Sequence, residues 1–369
     1  MTRPTDGNQH TAAIDDPLSG GPADVPISNA AAAESSRVRR TISPAQLRQT
    51  FENDVMRAGR GVRRALATAV REAVRAGRLA LIRAGVSHGL RILSRVLAGR
   101  GARNVAVESY GLHTYSGLLA AAGLKTLLPP LDTHGTDPVP PDGTDAVLLT
   151  PAHQFPVGTA LRRDRRMAVV DWAGRTGGLV LEDDYDGEFR FDRQRVGALQ
   201  GLAPDCVAYL GTASNTLAPG LRLAWMALPP TLAAETVAAK EPIDSCEVVS
   251  QLTMAEFITS GAYSRHLRAA RRRYRDRRDS LVTALAQHAP EVRVIGTAAG
   301  LHTVLGLPPG KEQQVLQSAT RQGLKVAGLS LYRNEPSLNV MADALVVGYG
   351  VPSDDAWPQA LSALVRALS

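Results

Sequence analysis

Short apolar runs alternate with amphipathic segments along most of this chain. The sequence predicts a helix from about Arg162 to Thr176. It predicts strands at short apolar runs that include Leu79 to Ile82, Val105 to Val107, Leu179 to Leu181, Val207 to Leu210 and Leu324 to Val326. This alternation indicates a largely parallel sheet with helices on both faces. Polar clusters follow the predicted strands, and in such sheets ligands bind beyond the carboxyl ends of the strands. We therefore expect the polar clusters to meet in one crevice.

The pattern divides the chain into three segments. Residues 1–42 are rich in Ala, Pro, Gly, Ser and Asp and lack apolar periodicity, which predicts a disordered arm. Residues 43–240 contain most of the strand–helix alternation and are expected to form a large α/β domain of the cofactor-binding type. They begin with helical periodicity from Pro44 to Arg78, which predicts one or two amphipathic helices. Residues 241–369 combine long helical segments with short apolar runs, which predicts a smaller C-terminal α/β domain.

Composition narrows the class of protein. Of the 369 residues 44% are hydrophobic, yet no apolar run has the length of a membrane span, and none near the N-terminus is typical of a signal peptide. The two cysteines, Cys206 and Cys246, provide neither a disulfide framework nor a metal cluster, so no metal site is expected. We expect a soluble, cytoplasmic protein that does not bind membranes.

The formal net charge of +7 comes almost wholly from arginine, because only four of the 42 basic residues are lysines. This bias, together with the abundant Ala and Gly, indicates a GC-rich genome rather than a nucleic-acid partner. The arginine-rich run from Arg268 to Arg278 is interpreted as a solvated helix face in preference to a nucleic-acid patch. A lysine nucleophile has only four candidates, which are Lys125, Lys240, Lys311 and Lys325.

The stretch from Tyr209 to Trp225 carries the clearest chemical signal, with the sequence YLGTASNTLAPGLRLAW. A short apolar strand leads into a loop of small hydroxyl residues, and Arg222 follows closely. The N–H groups and hydroxyls of such a loop can donate to a phosphate, and a guanidinium adds a bidentate contact. A weaker anion site is predicted where a strand meets Gly85 and the N-terminus of a helix.

Several motifs, in a fixed order from about Gly61 to Ser369, resemble the aminotransferase-like domain of MocR-type (GntR-family) proteins, which belong to the fold type I pyridoxal-phosphate enzymes. The motifs are Thr150-Pro-Ala-His-Gln-Phe-Pro-Val-Gly158, Glu182-Asp-Asp-Tyr-Asp-Gly-Glu-Phe189, Tyr209-Leu-Gly-Thr-Ala-Ser214, Leu217-Ala-Pro-Gly-Leu-Arg222, Ser264-Arg-His-Leu-Arg268, Tyr274-Arg-Asp-Arg-Arg278, Ala299-Gly-Leu-His302 and Val347-Gly-Tyr349. The resemblance implies a fold type I aminotransferase-like α/β fold, with a mostly parallel seven-stranded sheet in the large domain.

The resemblance also implies a cofactor pocket. Asp183 matches the carboxylate that pairs with the pyridine nitrogen, and Tyr185 matches the phenol that donates to the 3-oxygen of the ring. His153 and Gln154 match residues that line the ring face. The residues that match the phosphate site are Thr212, Ser214, Arg222 and, through their backbone, Gly85 and Val86.

Departures from the family pattern bear on the chemistry. The position of the Schiff-base lysine is Asn215, and an amide cannot form a Schiff base. Leu112 stands where a tyrosine stacks on the ring, with Tyr110 displaced, and the segment from Ala344 to Tyr349 lacks the arginine that binds the substrate carboxylate. A single engineered Lys-to-Asn change would not explain the other departures, so we favour natural divergence.

The family's winged helix-turn-helix is also not expected, because the region before Gly61 is short and low in apolar content. DNA binding of that type is therefore not expected. The resemblance instead implies a homodimer whose active site lies at the subunit interface and takes a small-molecule substrate. The substrate pocket is expected to be lined by His88, Tyr110, Leu112, His113 and Gln154.

Three functions remain open. The first is a degenerate aminotransferase-like enzyme of specialised (natural-product) metabolism. It would hold pyridoxal phosphate or pyridoxamine phosphate noncovalently, if it binds a cofactor at all, with catalytic positions at His153, Tyr185 and Asn215. The second is a cofactor-independent enzyme that reuses the crevice for a cyclisation, condensation or dehydration. The third is a non-catalytic ligand sensor or a pseudo-subunit of an active aminotransferase.

Overall fold

The computed structural model describes residues 79–83, 85–132, 135–191, 197–240, 248–334 and 341–369. The predicted arm of residues 1–42, the helical segment predicted before Leu79, and Cys246 lie outside these residues. All described residues belong to one compact unit that runs from Ser43 to Ser369. The boundary near residue 240 between a large and a small domain stays a prediction.

A seven-stranded sheet forms the first half of this unit, in the spatial order β1-β9-β8-β7-β6-β2-β3. Its strands are β1 (Leu79–Arg83), β2 (Asn104–Val107), β3 (Lys125–Leu127), β6 (Ala146–Leu149), β7 (Leu179–Asp184), β8 (Val207–Thr212) and β9 (Ala224–Leu228). The short strands β4 (Leu131–Asp132) and β5 (Gly135–Thr136) pair with each other beside it. From β8 to β3 all neighbours are parallel, and only β9 runs against the rest, pairing antiparallel with both β1 and β8. The predicted mostly parallel seven-stranded sheet is thus confirmed.

Helices cover both faces of this sheet, as the near-continuous apolar strands require. Leu90 and Leu93 pack with Leu119 against one face, whereas Val169 and Trp172 pack against the other. The helices of this half are α1 (Val86–Gly99), α2 (His113–Ala121), α3 (Arg163–Thr176), α4 (Leu199–Leu202) and α5 (Pro230–Ala238).

A second, antiparallel sheet has the order β10-β11-β13-β12. Its strands are β10 (Arg293–Ile295), β11 (His302–Gly306), β12 (Ala327–Gly328) and β13 (Ala344–Gly348). The helices around it are α6 (Val248–Thr259), α7 (Ala262–His288), α8 (Glu312–Arg321) and α9 (Trp357–Leu368). Leu281 and Leu285 of α7 pack with Val315 of α8 and Leu364 of α9 to form its core.

Two predicted elements need correction. The strand predicted at Leu179 to Leu181 continues to Asp184, because the acidic residues pair in register with β8, Asp183 opposite Leu210. The strand predicted at Leu324 to Val326 lies instead at Ala327–Gly328. Within the described residues, no helix has both the length and the apolar character needed to cross a membrane.

Candidate functional site

The carboxyl ends of the parallel strands bring the polar clusters to one edge of the large sheet. Glu108 follows β2, Thr150 follows β6, Asp183 lies near the end of β7, and Thr212 ends β8. Since these strands are neighbours and run in the same direction, their polar residues lie side by side. The polar clusters that the sequence predicted to meet therefore lie together at this edge of the sheet.

Asp183 is the buried anion of this edge, with 2% of its surface exposed. Its Oδ2 accepts a hydrogen bond of 2.8 Å from the hydroxyl of Tyr115, but its Oδ1 is buried and has no hydrogen-bond partner among the described residues. Burial raises the pKa of Asp183 to about 7, an effect that nearby Asp184 and Asp186 increase and that the Tyr115 hydroxyl opposes. A cationic N–H donor placed at Oδ1 would satisfy the open acceptor and favour the charged carboxylate.

Tyr185, His153 and Asp186 form a closely spaced triad beside Asp183. The Nδ1 atom of His153 lies 2.8 Å from Asp186 Oδ2 and 2.9 Å from the hydroxyl of Tyr185. Burial, followed by the charge of Asp186, raises the pKa of Tyr185 well above its ordinary value. The phenol therefore stays protonated at neutral pH and is a hydrogen-bond donor.

His302 and Phe155 complete the wall around this triad. The His302 ring lies 5.1 Å from the His153 ring and 6.3 Å from the Tyr185 ring, and Phe155 meets Tyr185 edge-on at 5.7 Å between centroids. The Nε2 atom of His302 lies 3.0 Å from the Pro156 carbonyl oxygen, to which it donates. Burial lowers the pKa of His302 to about 4, so its ring is neutral.

Asn215 occupies the turn that follows β8, where the resemblance implies a lysine. Its Nδ2 donates a hydrogen bond of 2.9 Å to the backbone carbonyl of Tyr185. The amide thus fastens the β8 turn to the end of β7. It supplies neither a nucleophilic amine nor a proton that it could exchange at neutral pH.

The predicted phosphate residues form two groups, one at the end of β8 and one where Arg222 meets the start of α1. The Thr212 and Ser214 hydroxyls are 3.0 Å apart, and the Ser214 N–H donates to Thr212 Oγ1 at 3.1 Å. Arg222 adopts the left-handed conformation, with φ 48°, and its guanidinium lies against Gly85. A Cβ on Gly85, whose φ is 95°, would come within 3.0 Å of Arg222 Nη2. Gly85 immediately precedes Val86, the first residue of α1, so the first N–H groups of α1 lie next to the guanidinium.

The predicted substrate-pocket residues differ from one another in their burial and in their hydrogen-bond partners. Gln154 is buried and joins Thr136 to Thr159 through its amide, which makes it a brace of the neighbouring loop. The buried Tyr110 packs in the core of the small sheet, and its hydroxyl accepts a hydrogen bond from the Met341 N–H.

The other three predicted pocket residues lie on α1 and at the start of α2. His88 is buried on α1, and Leu112 is the half-buried N-cap residue of α2. His113 is exposed, with Nε2 2.6 Å from the Leu331 carbonyl oxygen. Contact of these side chains with a substrate stays a prediction.

Four residues of the site were not assigned a site role from the sequence, namely Glu108, Tyr115, Asp186 and His302. Glu108 Oε2 accepts hydrogen bonds from the Thr150 hydroxyl at 2.5 Å and from the Thr150 N–H at 3.2 Å, and burial raises the pKa of Glu108 to about 8. The available signal was its place directly after a predicted strand. Asp186 and His302 stand inside motifs that carry the resemblance, but their partners are far away in sequence.

Comparison with known proteins places this geometry in a family context. The chain is 36% identical over 219 residues to the uncharacterized HTH-type transcriptional regulator YhdI of Bacillus subtilis, covering 56% of this chain and 44% of that protein. It is 31% identical over 292 residues to the HTH-type pyridoxine biosynthesis transcriptional regulator PdxR of Corynebacterium glutamicum, covering 78% of this chain and 63% of that protein. The chain thus spans only part of the length of these curated relatives.

Solved structures show the same fold. A crystal structure of Pyrococcus horikoshii kynurenine aminotransferase, in complex with PMP, superposes with a TM-score of 0.69 at 20% identity and covers 88% of this chain and 87% of that one. The family model described as "Aminotransferase class I and II" matches residues 131–338, which include Asp183, Tyr185 and the β8 turn. This chain therefore belongs to the class I and II aminotransferase family.

Proposed function

We propose that this protein is a degenerate aminotransferase-like enzyme that binds pyridoxal phosphate or pyridoxamine phosphate noncovalently. The observation that carries the proposal is the buried Oδ1 of Asp183, which has no hydrogen-bond partner among the described residues. Leaving a buried acceptor unsatisfied costs about 1–3 kcal/mol, and more when the group is charged. A protonated pyridine nitrogen would remove that cost, and the predicted phosphate residue Thr212 ends β8, the strand paired with the Asp183 strand.

Different residues of the site would bind different parts of the cofactor. Asp183 would hold the ring nitrogen and Tyr185 the 3-oxygen. The phosphate would be held by the hydroxyls of Thr212 and Ser214, the guanidinium of Arg222 and the first N–H groups of α1 next to Gly85. When bound, the cofactor supplies an electron sink for carbanion chemistry at an amine substrate.

Proton transfer would fall to Tyr185 and His153. Asn215 cannot replace the lysine as a base, since its amide is neutral and donates to the Tyr185 carbonyl. The hydroxyl of Tyr185 lies 2.9 Å from His153 Nδ1, so a proton can pass between these two side chains in the tautomer that leaves Nδ1 without a proton. The loss of the lysine argues against ordinary transamination and favours an altered reaction, such as a step of specialised metabolism.

Titration of the purified protein with each cofactor tests the proposal. We expect saturable binding of pyridoxamine phosphate and pyridoxal phosphate in calorimetry, with a matching change in cofactor absorbance, and loss of both in Asp183→Ala. Borohydride treatment should leave no cofactor attached to the wild-type chain. Absence of binding to either cofactor in the wild-type protein would contradict the proposal.

A non-catalytic ligand sensor is the second candidate, and it is favoured by the curated relatives, which are named as transcriptional regulators. Both candidates predict cofactor binding, so turnover separates them. If the protein is an enzyme, the loaded protein should convert at least one amine or keto acid of a substrate screen into a product, detected by mass spectrometry. A sensor would bind the cofactor and leave every screened compound unchanged.

A further inference from the structure

Three side chains from distant parts of the chain converge behind Tyr185. His153, Asp186 and His302 each contribute one potential ligand atom, and these atoms all lie within 4.8 Å of one another. All three side chains are buried, with 2%, 2% and 8% of their surface exposed. From this convergence we propose that His153, Asp186 and His302 form a binding site for a divalent transition-metal ion, for which Zn²⁺ is the probe.

The donor set suits such an ion. Two imidazole nitrogens and one carboxylate oxygen are typical of three-ligand sites for Zn²⁺ and its neighbours in the first transition row, in which a further position is left for water or another oxygen. The Tyr185 hydroxyl, 2.9 Å from His153 Nδ1, is an oxygen already next to the cluster. Mg²⁺ and Ca²⁺ prefer sites built from oxygen, so they fit this set poorly.

The orientation of His302 favours metal binding. Its Nε2 is engaged with the Pro156 carbonyl oxygen at 3.0 Å, which leaves Nδ1 as the ring atom that can face a metal. Histidines that bind metals commonly donate their other ring N–H to a backbone carbonyl, which fixes the tautomer and the ring direction. The ligand is therefore held in place before any ion arrives.

The closest pair of ligand atoms needs only a small adjustment, and the His302 nitrogen, within 4.8 Å of both, would move towards them. Ligand bonds of about 2.0–2.2 Å place two donors of a tetrahedral site roughly 3.3 Å apart. His153 Nδ1 and Asp186 Oδ2 are 2.8 Å apart, the distance of a hydrogen bond, so they must separate by a few tenths of an ångström. The proton between them leaves to solvent when the nitrogen lone pair turns to the metal.

The backbone of Gly300 packs directly against His153 and Asp186 on one side of the cluster. Its φ is 75°, and a Cβ there would lie 2.4 Å from His153 Cε1 and 2.5 Å from Asp186 Oδ2. Only glycine lets the backbone approach this closely, so the local fold fixes the relative positions of the two ligands.

The metal site goes beyond the proposed function and does not depend on it. None of its ligands belongs to the ring-nitrogen and phosphate contacts, which are Asp183, Thr212, Ser214 and Arg222. A bound ion takes the lone pair of His153 Nδ1, so an ion and a proton-transferring His153 exclude each other. Metal binding would thus switch off the exchange of a proton between Tyr185 and His153.

The test uses the full chain, stripped with a chelator and dialysed, then titrated with Zn²⁺ in a calorimeter and assayed for bound metal. We expect one Zn²⁺ per chain with micromolar affinity or better, and a loss of at least 100-fold in His302→Gln and in Asp186→Asn. The matched control is His288→Gln, which removes an exposed histidine at the end of α7 and should leave the affinity unchanged. Asp183→Ala should also keep the metal, which separates this proposal from the cofactor proposal.

A second measurement needs no variant. Co²⁺ added to the stripped wild-type protein should give the intense visible absorption of a four-coordinate ion, and Zn²⁺ should abolish it by displacement. The proposal is overturned if the wild-type chain retains no stoichiometric Zn²⁺. It is equally overturned if folded His302→Gln binds Zn²⁺ as tightly as the wild type does.

Discussion

Among single residues, Asp183 explains best how the site could bind a ligand, because its two carboxylate oxygens differ in their hydrogen bonding. One is held by Tyr115, and the other is buried without a partner in the described part of the chain. A carboxylate fixed in this way is oriented before the ligand binds, so less free energy is lost in ordering it during binding. Tyr115 is therefore a positioning residue for Asp183.

Tyr115→Phe should weaken cofactor binding by roughly 10- to 100-fold, since a hydrogen bond to a charged group contributes about 1.5–3 kcal/mol. The matched control is Tyr209→Phe, which removes an equivalent phenol from Asp184 Oδ2. Asp184 points to the opposite face of β7, so this control should leave the affinity unchanged. Calorimetric titration of both variants with pyridoxamine phosphate decides, and equal losses in the two would refute the role of Tyr115.

Asn215→Lys should restore a covalent link. The Asn215 side chain already reaches the backbone of Tyr185, next to the ring-binding residues, so an amine at this position would lie close to the cofactor. We expect borohydride reduction of the variant loaded with pyridoxal phosphate, whose aldehyde can condense with the lysine, to attach one cofactor per chain, measured by intact mass. The wild-type protein, with its four natural lysines, is the control and should gain no such mass.

Among the elements, the end of β7 is a place where the sequence indicated the candidate site residues but not the length of the strand. The motif from Glu182 to Phe189 indicated Asp183 and Tyr185, but the predicted strand stopped at Leu181. Acidic residues interrupt an apolar run and are therefore usually predicted as loop. Here Glu182 remains in the strand because its carboxylate accepts hydrogen bonds from the Leu199 and Gln200 N–H groups. Such compensation by a distant segment cannot be predicted from local periodicity.

The phosphate turn was predictable from its own residues, because its members lie close together in sequence. Thr212 and Ser214 share one turn, and the sequence assigned both to the phosphate site. The contact of His302 with the Pro156 carbonyl joins positions 146 residues apart, and Asp186 meets His153 across 33 residues. Only the fold brings these partners together, which is why the metal-ligand cluster had no signal in the spacing and the sequence suggested no metal site.

The turn before α1 gives a prediction of its own. Gly85→Ala should weaken cofactor binding, because the added Cβ would meet the Arg222 guanidinium at 3.0 Å. Gly101→Ala is a control with nearly the same φ, 94° against 95°, but with nothing within 4 Å of its Cβ. Both variants should lose about 1–3 kcal/mol of stability in denaturant unfolding, because a φ near +95° is strained for a residue that carries a Cβ. Only Gly85→Ala should lose cofactor affinity, and an equal loss in Gly101→Ala would count against the assigned phosphate site.

At the scale of the whole molecule, the parallel sheet gathers carboxyl groups at its carboxyl edge and buries them. Burial raises the pKa values of Glu108 to about 8, and of Glu182 and Asp183 to about 7. The folded protein therefore keeps protons on these groups that the unfolded chain releases above about pH 4.5. By linkage, their stabilising effect is complete below that pH and is lost as the pH rises through 7 to 8.

The free energy of unfolding of the cofactor-free protein should therefore fall between pH 5 and pH 8. Glu108→Gln should make the fall shallower, because its amide still accepts from the Thr150 hydroxyl but does not titrate. Each unit of pKa difference between folded and unfolded states corresponds to about 1.4 kcal/mol. Urea unfolding at a series of pH values measures the slope, with the exposed Glu291→Gln as control. An identical slope in wild type and Glu108→Gln would contradict this assignment.

If Asp183 Oδ1 accepts a hydrogen bond from the ring nitrogen of a noncovalent cofactor, affinity for the cofactor must depend on that nitrogen. The most direct measurement compares the affinities of pyridoxamine phosphate and its 1-deaza analogue, which has C–H in place of that nitrogen, for wild type and Asp183→Ala. The wild type should prefer pyridoxamine phosphate by at least 10-fold, and Asp183→Ala should show no preference. Equal binding of the two ligands to the wild-type protein would contradict the account.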